Sequence, residues 1–125
     1  GTRGKGLYRL RYRSPGKYDI TGHYMKDARD VYGISGDAVY AILQDYKGRL
    51  WVACYDSGLN LVENPLADTL TFLHADNRLG SQSRNIPEQV RCLAETSDSV
   101  ILVGTTRGFY TFDENFPSPE DILFY

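Results

Sequence analysis

The chain has 125 residues, of which 24% are charged and 42% belong to the hydrophobic set, a balance typical of a globular domain with a modest core. Its formal net charge of −2 gives no electrostatic reason to expect a nucleic-acid partner. No apolar run approaches the roughly 18 residues that a membrane-spanning helix needs, so direct membrane insertion is not expected. Nothing at the start of the chain has the pattern of a signal peptide.

The first predicted elements are two strands within residues 1–25. The opening segment, GTRGKGLYRL, is typical of the interior of a longer protein rather than of a natural start. Arginines alternate from Arg9 to Arg13, which favours the solvated face of a strand over a phosphate-binding patch. Tyr18 to Tyr24 then predicts an outer strand, because it is rich in aromatic and β-branched residues.

The second group of elements fills residues 38–75. The predicted strands are Val39 to Gln44, Leu50 to Cys54, Leu59 to Val62 and Thr69 to His74. Turns containing Gly48 and Gly58 separate the first three, and Pro65 ends the third because proline cannot donate to a ladder. The second strand is a continuous apolar run, so it is expected to be buried on both faces.

The same order of elements returns about 50 residues later, in residues 86–125. Val90 aligns with Val39, Gly104-Thr105 with Ala53-Cys54, and Gly108 with Gly58. Ile122 to Tyr125 would begin a fourth strand there. A third copy is cut by the start of the chain, where Gly1-Thr2 and Gly6-Leu7 take the corresponding positions.

Tandem units of about 50 residues, each with four short antiparallel strands and glycine turns, are typical of a β-propeller. The predicted fold class is therefore all-β, a partial propeller over residues 1–125. It would comprise the last two strands of one blade (1–25), a second blade (38–75) and a third (86–125), each complete blade a four-stranded antiparallel sheet. Helices should be nearly absent, because no segment sustains a 3.6-residue apolar period.

The repeat resembles the two-component regulator propeller, whose unit reads approximately V-x-x-I-x-x-D-x-x-G-x-L-W-[IV]-G-T-x-x-G-L-x-x-[FY]. The residues that carry the motif are Val39, Ile42, Asp45, Gly48, Leu50, Trp51, Val52, Gly58 and Leu59 in one copy, and Val90, Val103, Gly104, Thr105 and Gly108 in the next. The first copy departs from the motif at Ala53-Cys54. The second has Thr96, Ser99 and Leu102 at the Asp, Gly and Trp positions. Upstream, Gly33-Ile34-Ser35 resembles the G-L-S that precedes the unit.

This resemblance implies the extracytoplasmic sensor region of a hybrid two-component histidine kinase of Bacteroides-type bacteria. The segment would then be periplasmic, as part of an inner-membrane protein, and would respond to a poly- or oligosaccharide ligand. Kinase activity and phosphorelay would belong to the parent protein, not to this segment. Two alternatives stay open: the propeller of a secreted polysaccharide-active enzyme, and a non-catalytic protein-interaction propeller.

Neither a catalytic residue, nor a metal site, nor a cofactor is predicted from the sequence. His23 and His74 have no metal-binding spacing and are expected to be exposed or edge histidines near the outer strands. Cys54 and Cys92 lie in apolar runs without a CxxC spacing, which favours two small buried hydrophobes over a disulfide. The loop aspartates do not form a calcium-binding spacing.

One residue is a candidate ligand contact: Tyr55, in the turn between the second and third strands of its unit. Trp51 is expected to pack between blades rather than to bind a sugar. The partners expected are the other blades of the same propeller and, in the sensor role, an oligosaccharide. Two open blade flanks also predict that the isolated segment self-associates.

Overall fold

The structure, a computed structural model, describes residues 1–80, 83, 86–87 and 89–125. Its strands are β1 (Leu7–Ser14), β2 (Lys17–Tyr24), β3 (Val39–Gln44), β4 (Leu50–Cys54), β5 (Gly58–Val62), β6 (Val90–Glu95), β7 (Val100–Thr105) and β8 (Gly108–Asp113). A short 3-10 turn at Pro119–Asp121 follows them. The all-β prediction is thus confirmed. The boundaries assigned to the three blades stay predictions, and Glu88 of the third lies outside the described residues.

The strands form three antiparallel sheets, in the orders β1-β2, β3-β4-β5 and β6-β7-β8. The two three-stranded sheets share one register. Val39 faces Cys54 in the first as Val90 faces Thr105 in the second, and each pair is followed by a bulge. Strands β3 and β6 lie against each other, so the first strand of each unit is its innermost. This is the arrangement of successive propeller blades.

Strand β4 is buried on both faces, as its continuous apolar run predicts. Val52 and Cys54 belong to a core shared with the β1-β2 sheet, whereas Trp51 and Ala53 belong to a core shared with the β6-β7-β8 sheet. Alternate side chains of one strand therefore join both neighbouring sheets.

Trp51 packs between two sheets, as expected. Its ring is fully buried and lies 4.8 Å from the ring of Phe112 on β8, with Phe116 at 6.1 Å. Leu102, at the corresponding position of the next unit, is only half-buried, because the described residues place no further sheet against that face.

The prediction of a fourth strand at Thr69 to His74 is wrong. A single β-bridge joins Leu73 to Leu61 of β5. The other backbone donors of the segment go elsewhere: Leu70 N donates to the Tyr24 hydroxyl and Phe72 N to Tyr32 O. Because Leu70 and Phe72 are drawn into the core beside β4, the segment cannot run flat along β5.

The fourth strand predicted to begin at Ile122 to Tyr125 is also not formed. One pair of 2.9 Å hydrogen bonds links Tyr125 to Thr111 of β8. Ile122 is instead buried in the core between the second and third sheets. In both units, packing of an apolar side chain replaces ladder formation, so the sheets have three strands rather than four.

Candidate ligand-binding face

One end of the sheets carries the longer loops, and we call it the loop face. It is formed by residues 25–38, by the β4–β5 turn at residues 55–57, and by the described part of residues 75–89. The turns before β1 and between β7 and β8 lie at the same end, because antiparallel strands place equivalent turns together. Propellers and other β-folds commonly bind ligands at such loops.

A buried polar network holds the 25–38 loop to the sheet. Asn60 of β5 is fully buried; its carbonyl oxygen accepts from Ser35 N at 3.0 Å and its amide donates to Ser35 Oγ at 2.8 Å. Tyr55 N donates to Ala38 O at 2.8 Å. A Cβ on Gly36 would clash with the side chains of Ser57 and Asp56, so loop and turn approach each other closely at this glycine. The loop is therefore fixed relative to the turn.

A polar cleft of about 290 Å³ opens between the two long loops. The polar side chains that line it are those of Lys26, Ser35, Asp56, Ser57, Asp76 and Ser83. Hydroxyl and carboxylate groups of this kind form hydrogen bonds with the hydroxyls of a polar ligand.

Tyr55 lies at the inner edge of the loop face, stacked on Tyr40 of β3. The two ring centroids are 4.6 Å apart and the planes are inclined by 17°. The guanidinium carbon of Arg91, on β6, lies 5.9 Å from the Tyr55 centroid. Tyr40 and Arg91 line a shallow depression of about 400 Å³ together with Arg3. The structure thus places a second ring and the Arg91 guanidinium against the candidate Tyr55.

The histidines differ from one another. His23 is exposed and stacks on Tyr8, with ring centroids 4.0 Å apart. The expectation that His74 is exposed or at an edge is wrong: it is 9% exposed, and its Nε2 lies 3.1 Å from Gly33 O. Burial lowers the pKa of His74, which favours the neutral ring that donates to this carbonyl. His74 therefore anchors the 25–38 loop.

The cysteines are both free, so the structure contains no disulfide between them. Cys54 is buried as expected, and burial raises the pKa of its thiol to about 11, which makes the thiol unreactive. The expectation that Cys92 is buried is wrong. Its strand, β6, is the inner strand of a sheet whose outward flank is not covered by the described residues. Among the described residues, no group of three or more His, Cys, Asp or Glu side chains is arranged to hold a metal ion.

At the opposite end of the sheets, motif residue Asp45 is the centre of a buried cluster. Its Oδ2 accepts from Arg49 Nε and from Trp51 Nε1, each at 2.8 Å, and its Oδ1 accepts from the backbone of Lys47 and Arg49, each at 3.0 Å. Arg49 also donates to Glu114 O at 2.9 Å. The Asp of the repeat therefore shapes the β3–β4 turn and links it to the following sheet.

Glu114 is the least expected member of this cluster. Its side chain is fully buried, and neither carboxylate oxygen accepts a hydrogen bond from the described residues. Burial, and after it the neighbouring Glu95 and Asp45 carboxyls, raise the pKa of Glu114 to about 7, whereas Arg49 opposes this rise.

The sequence did not single out Tyr40, Asn60, Arg91 or Glu114. Asn60 carries a usable signal, because an amide inside the apolar run Leu59 to Val62 needs a buried partner. Tyr40 and Arg91 carry no such sequence signal, because their position at the same surface depends on how one sheet packs against the next. The roles of the other motif residues and of Tyr55 in binding stay predictions.

Comparison with known protein families gives a match to one part of the chain. Residues 33–56 match the family model described as Two component regulator propeller. This segment is similar to a two component regulator propeller repeat. The match runs from Gly33, within the 25–38 loop, through Trp51 to Asp56 in the β4–β5 turn. The resemblance drawn from the sequence is thereby confirmed for this segment.

The two component regulator propeller repeat is a non-catalytic unit, which is compatible with a segment that has no enzymatic activity. No curated protein matches the chain. Among the helices of the described residues, none is long and apolar enough to cross a membrane.

Proposed function

We propose that this chain is part of the ligand-binding sensor propeller of a hybrid two-component histidine kinase, located on the periplasmic side of the inner membrane, and that it binds an oligosaccharide. The observation that carries the proposal is the two component regulator propeller repeat at residues 33–56, which ends in the turn that bears Tyr55. Kinase activity belongs to other parts of the parent protein.

The stacked pair Tyr40 and Tyr55 supplies the flat apolar surface on which a pyranose ring packs. The cleft beside it supplies hydrogen-bonding groups from Asp56 and Ser57, which belong to the same turn. A rigid aromatic platform next to adaptable polar groups binds a sugar at a low cost in conformational entropy.

Signal transmission follows from the anchoring of the loops. Ser35 on the loop face is joined through Asn60 to β5, and β5 packs in the core shared with the next sheet. A ligand that binds one arrangement of the blades better than another shifts the population toward it, and closely packed blades pass this change along the ring.

The binding experiment is a calorimetric titration of the chain with neutral and acidic plant and host oligosaccharides. Tyr55→Ala should weaken binding of a ligand about tenfold, the loss expected when one stacking ring is removed. Tyr46→Ala is the matched control, because Tyr46 is 60% exposed at the opposite end of the sheets. Absence of binding to every oligosaccharide, or release of new reducing ends, would contradict the proposal.

The parent protein is tested separately by the DNA sequence on both sides of the segment. Further repeat units, a membrane span and a histidine kinase in the same reading frame are expected. A reading frame that encodes a secreted propeller without a kinase would overturn this part of the proposal.

A further inference from the structure

Two arginines from different parts of the chain line one depression together with Tyr40 of the loop face. Arg3 precedes β1 and Arg91 lies on β6, yet both line the depression of about 400 Å³ that Tyr40 also lines. Arg91 extends over Tyr55, with its guanidinium carbon 5.9 Å from the ring centroid. The volume of the depression is within the range of small-molecule sites, about 300–1,000 Å³.

These arginines differ from most others in the chain. Arg11, Arg13, Arg29, Arg49 and Arg78 each form an ion pair with an Asp or Glu. Among the described residues, no carboxylate lies within ion-pair distance of Arg3 or Arg91. Both are exposed. A chain with a formal net charge of −2 thus has a local cationic site beside its candidate aromatic platform.

The chemistry of the site selects for an anion. A guanidinium binds a planar or tetrahedral oxyanion with two parallel hydrogen bonds, and it is held in orientation when it lies over an aromatic ring. A neutral sugar offers no group of opposite charge to these two guanidiniums. An acidic sugar packs its ring on the tyrosines and places its anionic group at the guanidinium.

We propose that the loop face binds an anionic saccharide, whose carboxylate or sulfate group is held by Arg91 and Arg3 while its ring packs against Tyr40 and Tyr55. This inference rests on the proposed oligosaccharide-binding function and specifies the ligand class. The shared chemistry is a saccharide oxyanion; a uronic acid and a sulfated sugar are its two sources.

Pairs of saccharides that have the same sugar rings but differ in charge test whether the anionic group is needed for binding. Oligogalacturonate and its methyl ester are titrated against the chain by calorimetry, and unsulfated and sulfated chondroitin oligosaccharides are compared in the same way. Binding at least tenfold tighter to oligogalacturonate than to its ester identifies a uronate; a tenfold gain on sulfation identifies a sulfate. In either case, affinity should fall as salt is raised.

Arg91→Gln should abolish the preference for the acidic ligand, and Arg91→Lys should restore part of it, because an ammonium keeps the charge but not the paired hydrogen bonds. Arg13→Gln is the control: Arg13 is an exposed arginine on β1 and should leave the preference unchanged. Circular dichroism of each variant verifies that it is folded.

The outcomes separate the two proposals. If the methyl ester binds as tightly as oligogalacturonate and sulfation brings no gain, the oligosaccharide-binding function stands but the anionic assignment is overturned. An equal loss of preference in Arg13→Gln also overturns it, since the effect would then be one of overall charge. Failure of every saccharide to bind contradicts the proposed function itself.

Discussion

Asp45 accepts a 2.8 Å hydrogen bond from the indole nitrogen of Trp51, and this contact ties the first turn of the repeat to its central strand. The same carboxylate binds Arg49, whose side chain is only 13% exposed and whose guanidinium also lies 4.4 Å from the Phe116 ring centroid. One carboxylate therefore holds a turn, a strand and a contact with the following sheet.

Replacing Asp45 with alanine should destabilise the chain by about 3 kcal/mol, because it leaves a largely buried arginine and an indole N–H without an acceptor. Urea unfolding followed by tryptophan fluorescence measures the change. Asp45→Asn keeps an acceptor for the turn and loses the charge, so its cost should be smaller. If the two variants are equally stable, the hydrogen bonds that Asn could keep contribute nothing measurable, and the whole cost comes from loss of the charge.

The protonation of Glu114 should be visible in the way the free energy of unfolding depends on pH. Its pKa in the folded protein is about 7, above the usual 4.5, so the folded state holds the proton more tightly. This contribution to stability is complete below about pH 4.5 and is lost as pH rises through about 7. The charged groups that face it are Asp45 and Arg49 from the β3–β4 turn and Glu95 from β6.

Unfolding free energies of the wild type and Glu114→Gln, measured from pH 4.5 to 8, test this. The variant should gain stability relative to the wild type as pH rises, because the amide has no proton to lose. Glu63→Gln, at an exposed loop position, is the control and should run parallel to the wild type. Parallel curves for Glu114→Gln would show that folding does not raise the pKa of Glu114.

Ser99 has a positive φ of 62°, at the position where the preceding unit has Gly48 with φ of 83°. A serine in this left-handed region is strained, whereas glycine is not. Ser99→Gly should therefore stabilise the chain by about 1 kcal/mol in urea unfolding. Ser97→Gly in the same turn has no such strain to relieve and should be neutral or destabilising.

We propose that the isolated chain self-associates through its uncovered flank at the β1-β2 sheet. Leu10 and Ile20 are paired across these strands and are 53% and 65% exposed. Paired exposed hydrophobes on a sheet that is not covered by another favour association. Light scattering should show a mass that rises with protein concentration.

The double variant Leu10→Thr/Ile20→Thr should shift this chain toward the monomer. Leu66→Thr is the control, because Leu66 is 92% exposed in a loop outside the sheets and its loss should leave the association unchanged. A wild-type chain that is monomeric at every concentration would show the self-association prediction to be wrong.

The motif position of Asp45 shows how far the repeat alone predicts structure. In the next unit Thr96 replaces it, and its hydroxyl accepts from Asp98 N and Val100 N as Asp45 accepts from Lys47 N and Arg49 N. The turn is thus preserved by a different acceptor. Thr96 has no negative charge with which to form an ion pair with an arginine.

The sequence by itself determined the all-β class, the positions of the inner three strands of each unit, the glycine turns and the burial of Trp51. All of these follow from local patterns: period, turn chemistry and the spacing of a repeat. The tertiary structure decided the rest. Leu70 and Phe72 pack in the core beside β4 instead of pairing in a ladder along β5. Glu114 is buried against the sheet that precedes it. Arg91 of one sheet lies over the ring of Tyr55 of another. Such outcomes depend on contacts between residues far apart in the chain, and no local pattern encodes which of them will meet.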